Sequence, residues 1–111
     1  MNSIHERLVE LLNGELSSHL DGEPEFLYDG IRANLKTGIK LQIIYPGPDE
    51  YIFAWEKDGV ACRIDTAPVH MDLEIAPNHF HVGDEVKNDE LTSTKKSPED
   101  NLKSVIKFIA G

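Results

Sequence analysis

Cysteine is almost absent from this sequence of 111 residues, in which Cys62 stands alone. A single cysteine excludes an internal disulfide and any metal site built from cysteines alone, and it is typical of a chain kept in a reducing compartment. Long apolar runs are missing too: no stretch approaches the length that crosses a bilayer, and the first fifteen residues carry charge throughout. We therefore expect a cytoplasmic protein that does not enter a membrane.

Positive charge is scarce. The chain has 11 Lys and Arg residues against 20 Asp and Glu residues, for a net charge of -9 at pH 7. Because phosphate binding draws its affinity from clustered Lys and Arg, any contact with RNA or DNA would have to be local. An acidic surface is instead suited to a basic protein partner.

Hydrophobic residues, counted with the aromatic residues and Cys, make up 40% of the chain. They recur in blocks, and this pattern predicts one folded domain over residues 1–111. At the N-terminus their helical spacing predicts a helix with one buried face. The residues of this face are Ile4, Leu8, Leu11, Leu12, Leu16 and Leu20. Asn13-Gly14 is where that helix ends or is interrupted. His5 and His19 lie on this stretch at no useful spacing, so we expect them to have ordinary surface roles.

From about residue 26 to residue 66 the apolar residues follow a period of two, which predicts four strands. Short breakers with Gly or Pro at 36–38, 46–49 and 57–59 separate the apolar runs and favour consecutive antiparallel hairpins. A meander with one apolar face needs a cover, which the two terminal helices can supply.

The C-terminal helix has clear boundaries. Ser97 can cap it, Pro98 suits its first position, and Glu99 and Asp100 suit the positive end of its dipole. Its buried stripe consists of Leu102, Val105, Ile106 and Ile109. The predicted fold class is therefore α+β: an N-terminal helix, an antiparallel β-meander, a histidine-bearing loop or short strand, and a C-terminal helix packed on the sheet.

The stretch "RIDTAPVHMDLEIAPNHFH", residues 63 to 81, holds three of the five histidines. Arg63 and Asp65 project from one face if their segment is a strand, and His79 and His81 do the same if theirs is extended. If the second segment returns beside the first, one patch could hold the five candidate site residues. These are Arg63, Asp65, His70, His79 and His81.

Two chemistries suit such a patch. In metal-independent RNA cleavage, one histidine removes the ribose 2′-hydroxyl proton, a second protonates the leaving 5′-oxygen, and Arg63 stabilises charge on the phosphate. Alternatively, His70, His79, His81 and a carboxylate bind a divalent transition metal. A purely structural interpretation is equally open, with Arg63 and Asp65 as a surface ion pair and the histidines bonded to loop backbone groups. Cys62 falls on the apolar side of its strand, where packing is its expected role.

The run from Arg63 to Gly83, "RIDTAPVHMDLEIAPNHFHVG", resembles the characteristic segment of the TumE family of small toxin–antitoxin proteins, which reads approximately R-Y-D-N-A-P-H-H, a short spacer, then P-H-H-K-H-V-G. The matching positions are Arg63, Asp65, Ala67, Pro68, His70, Pro77, His79, His81, Val82 and Gly83. The positions that differ are Ile64, Thr66, Val69, Asn78 and Phe80.

This resemblance implies a bacterial or archaeal cytoplasmic protein that is encoded beside a helix-turn-helix antitoxin and has ribonuclease activity. We therefore expect a toxin that cleaves an RNA substrate without a cofactor. The residues expected to carry this cleavage follow from the chemical argument above and are Arg63, Asp65, His70, His79 and His81. The alternatives are a non-catalytic interaction module with an acidic partner-binding surface and a histidine-based metal-binding protein. An edge strand in so small a sheet could also pair with a second copy to give a homo-oligomer.

Overall fold

The helices lie near the two ends of the chain. A computed structural model describes residues 3–66 and 78–110, with helix α1 at Ser3–Asn13 and helix α2 at Pro98–Ala110. A short 3-10 turn, Ser17–His19, follows α1. The hydroxyl of Ser97 accepts a hydrogen bond from the backbone N–H of Asp100 at 3.1 Å, as expected of its cap position.

Seven antiparallel strands form one sheet in which spatial order equals chain order. They are β1 Glu25–Phe26, β2 Ile31–Asn34, β3 Lys40–Gly47, β4 Glu50–Lys57, β5 Val60–Asp65, β6 His79–Val82 and β7 Glu85–Asn88. The predicted α+β class and the meander are confirmed. The predicted count of four strands up to residue 66 is wrong by one, because the two-residue β1 is too short to show a periodicity of its own.

One face of the sheet is covered by both helices. The apolar positions of the strands alternate onto this face, as in β3 and β4, where Tyr45 and Phe53 are fully buried. Four residues of α2 pack on them and are buried as predicted: Leu102, Val105, Ile106 and Ile109. Within the described ranges, no helix combines the length and apolar character that spanning a membrane requires.

His5 belongs to this core, and the expectation of a surface role for it is wrong. It is 5% exposed, and its Nε2 accepts a hydrogen bond from the backbone N–H of Tyr45 at 2.9 Å. Tyr45 lies between Ile44 and Gly47, where the register of β3 against β4 shifts. At this irregular point of the β3–β4 ladder, the backbone N–H of Tyr45 is therefore bonded to a side chain of α1. His19, by contrast, is exposed as predicted.

Candidate functional site

Strands β5 and β6 bring four of the five predicted site residues together. Arg63 lies opposite His81, and Asp65 lies opposite His79. Directly opposed residues of an antiparallel pair project to the same side, so all four side chains lie on the sheet face away from the helices. The sequence left residues 79–81 open as a loop or a short strand, and the structure shows a strand that lies beside β5, as the shared patch requires. His70 lies outside the described residues.

The carboxylate of Asp65 is the centre of this group. Its Oδ2 lies 2.7 Å from Nε of Arg63 and 3.4 Å from Nε2 of His81. Its Oδ1 lies 3.6 Å from Nδ1 of His79. Three basic side chains therefore converge on one carboxylate, and the two imidazole rings are 6.1 Å apart between centroids.

Burial divides the four residues into two pairs. The side chains of Asp65 and His79 are 4% and 1% exposed, whereas those of Arg63 and His81 are 53% and 22% exposed. A buried carboxylate needs such partners, because desolvation without compensating contacts is costly. Only Arg63 and His81 offer surface that a molecule on the open face can touch.

The position of the carboxylate also bears on the chemistry of His81. A carboxylate beside Nε2 favours the tautomer that carries its proton there, which makes Nδ1 the basic nitrogen of the neutral ring. It also stabilises the imidazolium that forms when Nδ1 takes up a proton. A partly exposed imidazole held by a buried carboxylate next to an exposed guanidinium is suited to proton transfer beside a phosphate.

The residue before His79 is held by a polar network that sequence reasoning did not identify. The amide Nδ2 of Asn78 donates to the Tyr51 hydroxyl at 2.7 Å and to Oδ2 of Asp89 at 3.2 Å. The Tyr51 and Thr92 hydroxyls are 2.8 Å apart, and burial raises the pKa of Tyr51. Asp89 Oδ1 in turn accepts the backbone N–H of Leu91 at 2.8 Å. These contacts hold the residue before β6. No local pattern predicts the contacts of Asn78, because Tyr51 and Asp89 are 27 and 11 residues away from it in sequence.

An open groove of about 650 Å³ lies on the same face. Arg63 and His81 line one end of it, and Arg32, Lys40 and Gln42 line it from β2 and β3. Sequence reasoning missed these three residues, since they are scattered single polar positions in alternating strands.

Two other predictions concern ligating and reactive groups, and the predicted metal ligands include His70, which lies outside the described residues. Among residues 3–66 and 78–110 there is no group of three or more His, Cys, Asp and Glu side chains that could hold a metal ion. Cys62 packs against the apolar core, as predicted, and burial raises the pKa of its thiol. A raised pKa disfavours the thiolate and hence a role as nucleophile.

The family model described as Toxin TumE matches residues 8–111, which is nearly the whole chain. No curated protein and no solved structure matches. The match extends from α1 through the β5–β6 site to the end of α2. The chain therefore belongs to the TumE family of toxins.

Proposed function

We propose that this toxin is a metal-independent ribonuclease whose reactive groups are His81 and Arg63. The observation that carries the proposal is the convergence of His81, Arg63 and His79 on the buried carboxylate of Asp65, where Arg63 is exposed, His81 is partly exposed and His79 is buried. Acid–base cleavage of RNA needs a histidine that exchanges protons and a cation beside the phosphate. The open face of β5 and β6 presents both.

In the proposed reaction, His81 takes the proton of a ribose 2′-hydroxyl, and the 2′-oxygen attacks the adjacent phosphorus. The bond from phosphorus to the 5′-oxygen breaks, and that oxygen takes a proton from an acid. The products are a 2′,3′-cyclic phosphate and a 5′-hydroxyl. Arg63 stabilises the charge that develops on the phosphate oxygens. The sequence made His70, His79 and His81 candidate site residues, and of these His70 lies outside the described residues.

Asp65 and His79 have supporting roles in this proposal. Asp65 orients the His81 ring and stabilises its charged form. His79, at 1% exposure, is too deeply buried to touch a substrate and instead helps to hold the Asp65 carboxylate. General acid–base groups of this kind contribute about 10²- to 10⁴-fold to rate.

The test is cleavage of a mixed-sequence RNA in EDTA at low salt by the wild type, His81→Ala and His19→Ala. His19 is an exposed histidine in the N-terminal region and serves as the matched control. We expect cleavage to fall by at least about 10²-fold in His81→Ala and to persist in His19→Ala, with cyclic phosphate ends on the products. Equal cleavage by all three chains would contradict the assignment.

Repeating the assay with an added divalent metal ion in place of EDTA separates the alternatives. Cleavage that needs an added divalent metal would favour the histidine-based metal site. A folded wild type that cleaves under neither condition would favour the non-catalytic interaction module, which the net charge of -9 also suits.

We further propose that the partner is a basic helix-turn-helix antitoxin. Membership of a toxin family and the excess of 20 acidic over 11 basic residues both support it. Its test is co-purification with the product of a neighbouring reading frame, in a complex that dissociates with rising salt.

A further inference from the structure

The groove on the open face runs across the strands to the Arg63 and His81 site. Arg32 lies opposite Gln42, Gln42 opposite Ala54, Ala54 opposite Arg63, and Arg63 opposite His81. These pairings place one cross-strand row of side chains on a line from β2 to β6. Since neighbouring strands are about 4.8 Å apart, the backbone at Arg32 is about 14 Å from that at Arg63.

The described residues that line this groove carry a net charge opposite to that of the whole chain. Of the 11 basic residues of the protein, three line the groove, namely Arg32, Lys40 and Arg63. Of its 20 acidic residues, only Glu56 is among the described lining residues. Such a local reversal is the kind of cationic surface that an acidic protein needs in order to hold a polyanion.

The two cations far from the proposed reaction are available for a ligand. Arg32 faces Glu25 at 3.5 Å, and both side chains are about half exposed, so this pair contributes little and can be exchanged for a phosphate contact. Lys40 is an exposed residue at the start of β3. Trp55 also lines the groove but is 6% exposed, so its ring is not offered to a base.

We propose that Arg32 and Lys40 form a phosphate-binding subsite that holds a single-stranded RNA along the groove and leads it to His81. The proposal rests on the proposed ribonuclease function and names where its substrate binds. A cationic groove that follows the backbone is a usual means of binding a single strand without sequence preference. The separation of about 14 Å means that the subsite contacts a phosphate remote from the one that reacts.

The experiment measures binding of a fluorescent single-stranded DNA oligonucleotide of mixed sequence by anisotropy, over a range of salt concentrations. This probe lacks the 2′-hydroxyl, so its binding is independent of cleavage. Arg32→Gln and Lys40→Gln are compared with Lys57→Gln. Lys57 is an exposed residue of β4 that alternates onto the opposite side from the groove, and it makes a matched control of equal charge change.

We expect each groove variant to weaken binding several-fold. The slope of log K against log salt concentration should fall in magnitude by about 0.7, which is the value for one phosphate contact to a single strand. Lys57→Gln should leave both unchanged, and Arg32→Lys should keep the wild-type slope. In RNA cleavage, the groove variants should raise KM and leave kcat unchanged.

An unchanged slope in both groove variants, or an equal change in Lys57→Gln, would overturn the subsite. So would a wild type that does not bind the probe at low salt. The two proposals fail separately. If the wild type cleaves RNA and the groove variants have an unaltered KM, the subsite proposal is contradicted and the ribonuclease proposal stands. If the groove variants change the salt slope but no chain cleaves RNA, the subsite proposal is supported and the ribonuclease proposal is contradicted.

Discussion

Nε2 of His5 in the first helix accepts the backbone N–H of Tyr45 at 2.9 Å, inside the core between helix and sheet. Burial lowers the pKa of this imidazole below its usual value of 6.5. The folded state therefore prefers neutral His5, whereas the unfolded chain binds a proton below pH 6.5. The stabilisation is fully present above pH 6.5 and is lost as the pH falls through the lowered pKa.

We predict that the free energy of unfolding of the wild type falls more steeply below pH 6.5 than that of His5→Gln. Urea denaturation of both chains between pH 8 and pH 5 measures this difference. His19→Gln is the control, since His19 is exposed. Parallel pH dependence of wild type and His5→Gln would contradict the assignment.

The two strand-β6 histidines should differ in their effect on stability. His79 is 1% exposed, so His79→Ala leaves a cavity and should lower the free energy of unfolding by about 2 kcal/mol or more. His81 is 22% exposed, and Arg63 still contacts Asp65 when the ring is removed, so His81→Ala should lower the free energy of unfolding by less than His79→Ala does. Urea denaturation measures both. The reverse order of effects would mean that His81 is the structural residue.

Asp65 and His81 should act as one unit in catalysis. If the carboxylate works through the ring, Asp65→Asn and His81→Ala each reduce kcat, and the double variant is no slower than His81→Ala. The measurement is kcat for the four chains of this cycle, with circular dichroism as a check on folding. Losses that multiply in the double variant would show that Asp65 acts independently of His81.

The amide of Asn101 should be important for stability. It is fully buried, donates to the Tyr45 hydroxyl at 3.0 Å, and both donates to and accepts from the backbone of Ser93 at 3.0 Å. Asn101→Ala leaves these buried groups without their partner and should cost about 2 kcal/mol. Lys95→Ala, at an exposed position before α2, is the control. Equal midpoints of thermal unfolding in Asn101→Ala and the wild type would refute this role.

Substitution of Glu56 tests the charge argument for the groove through an increase in oligonucleotide affinity. Glu56 is the acidic residue among the described lining residues, and it opposes a bound phosphate. Glu56→Gln should therefore tighten binding of single-stranded oligonucleotide severalfold at low salt. Glu50→Gln, at the other end of β4 and outside the groove, should not. An effect of the same size in both would show that only net charge matters.

The sequence predicted those features whose determinants are local. The period of two marked β3 to β5, Ser97 and Pro98 marked the start of α2, and the two-residue spacing of His79 and His81 predicted a common face. The sequence could not predict that β6 pairs with β5, because nothing local specifies which strand the histidine segment joins. The shared patch was therefore predicted only on the condition that the two segments pair.

Features that depend on distant partners were not predictable in this way. His5 is indistinguishable in sequence from a surface histidine, since its partner is a backbone group 40 residues away. Strand β7, Glu85–Asn88, is exposed at every position and so has no apolar alternation to reveal it. The groove residues Arg32 and Lys40 meet Arg63 only once four strands have paired.

The strictly sequential strand order has a consequence for synthesis of the toxin. Each strand pairs with its predecessor in the chain, so β1 to β5 can assemble hairpin by hairpin as they leave the ribosome. Arg63 and Asp65 are then already on the sheet, but His79 and His81 join them only after β6 has emerged and docked. The nascent chain is therefore without the assembled site for most of its translation.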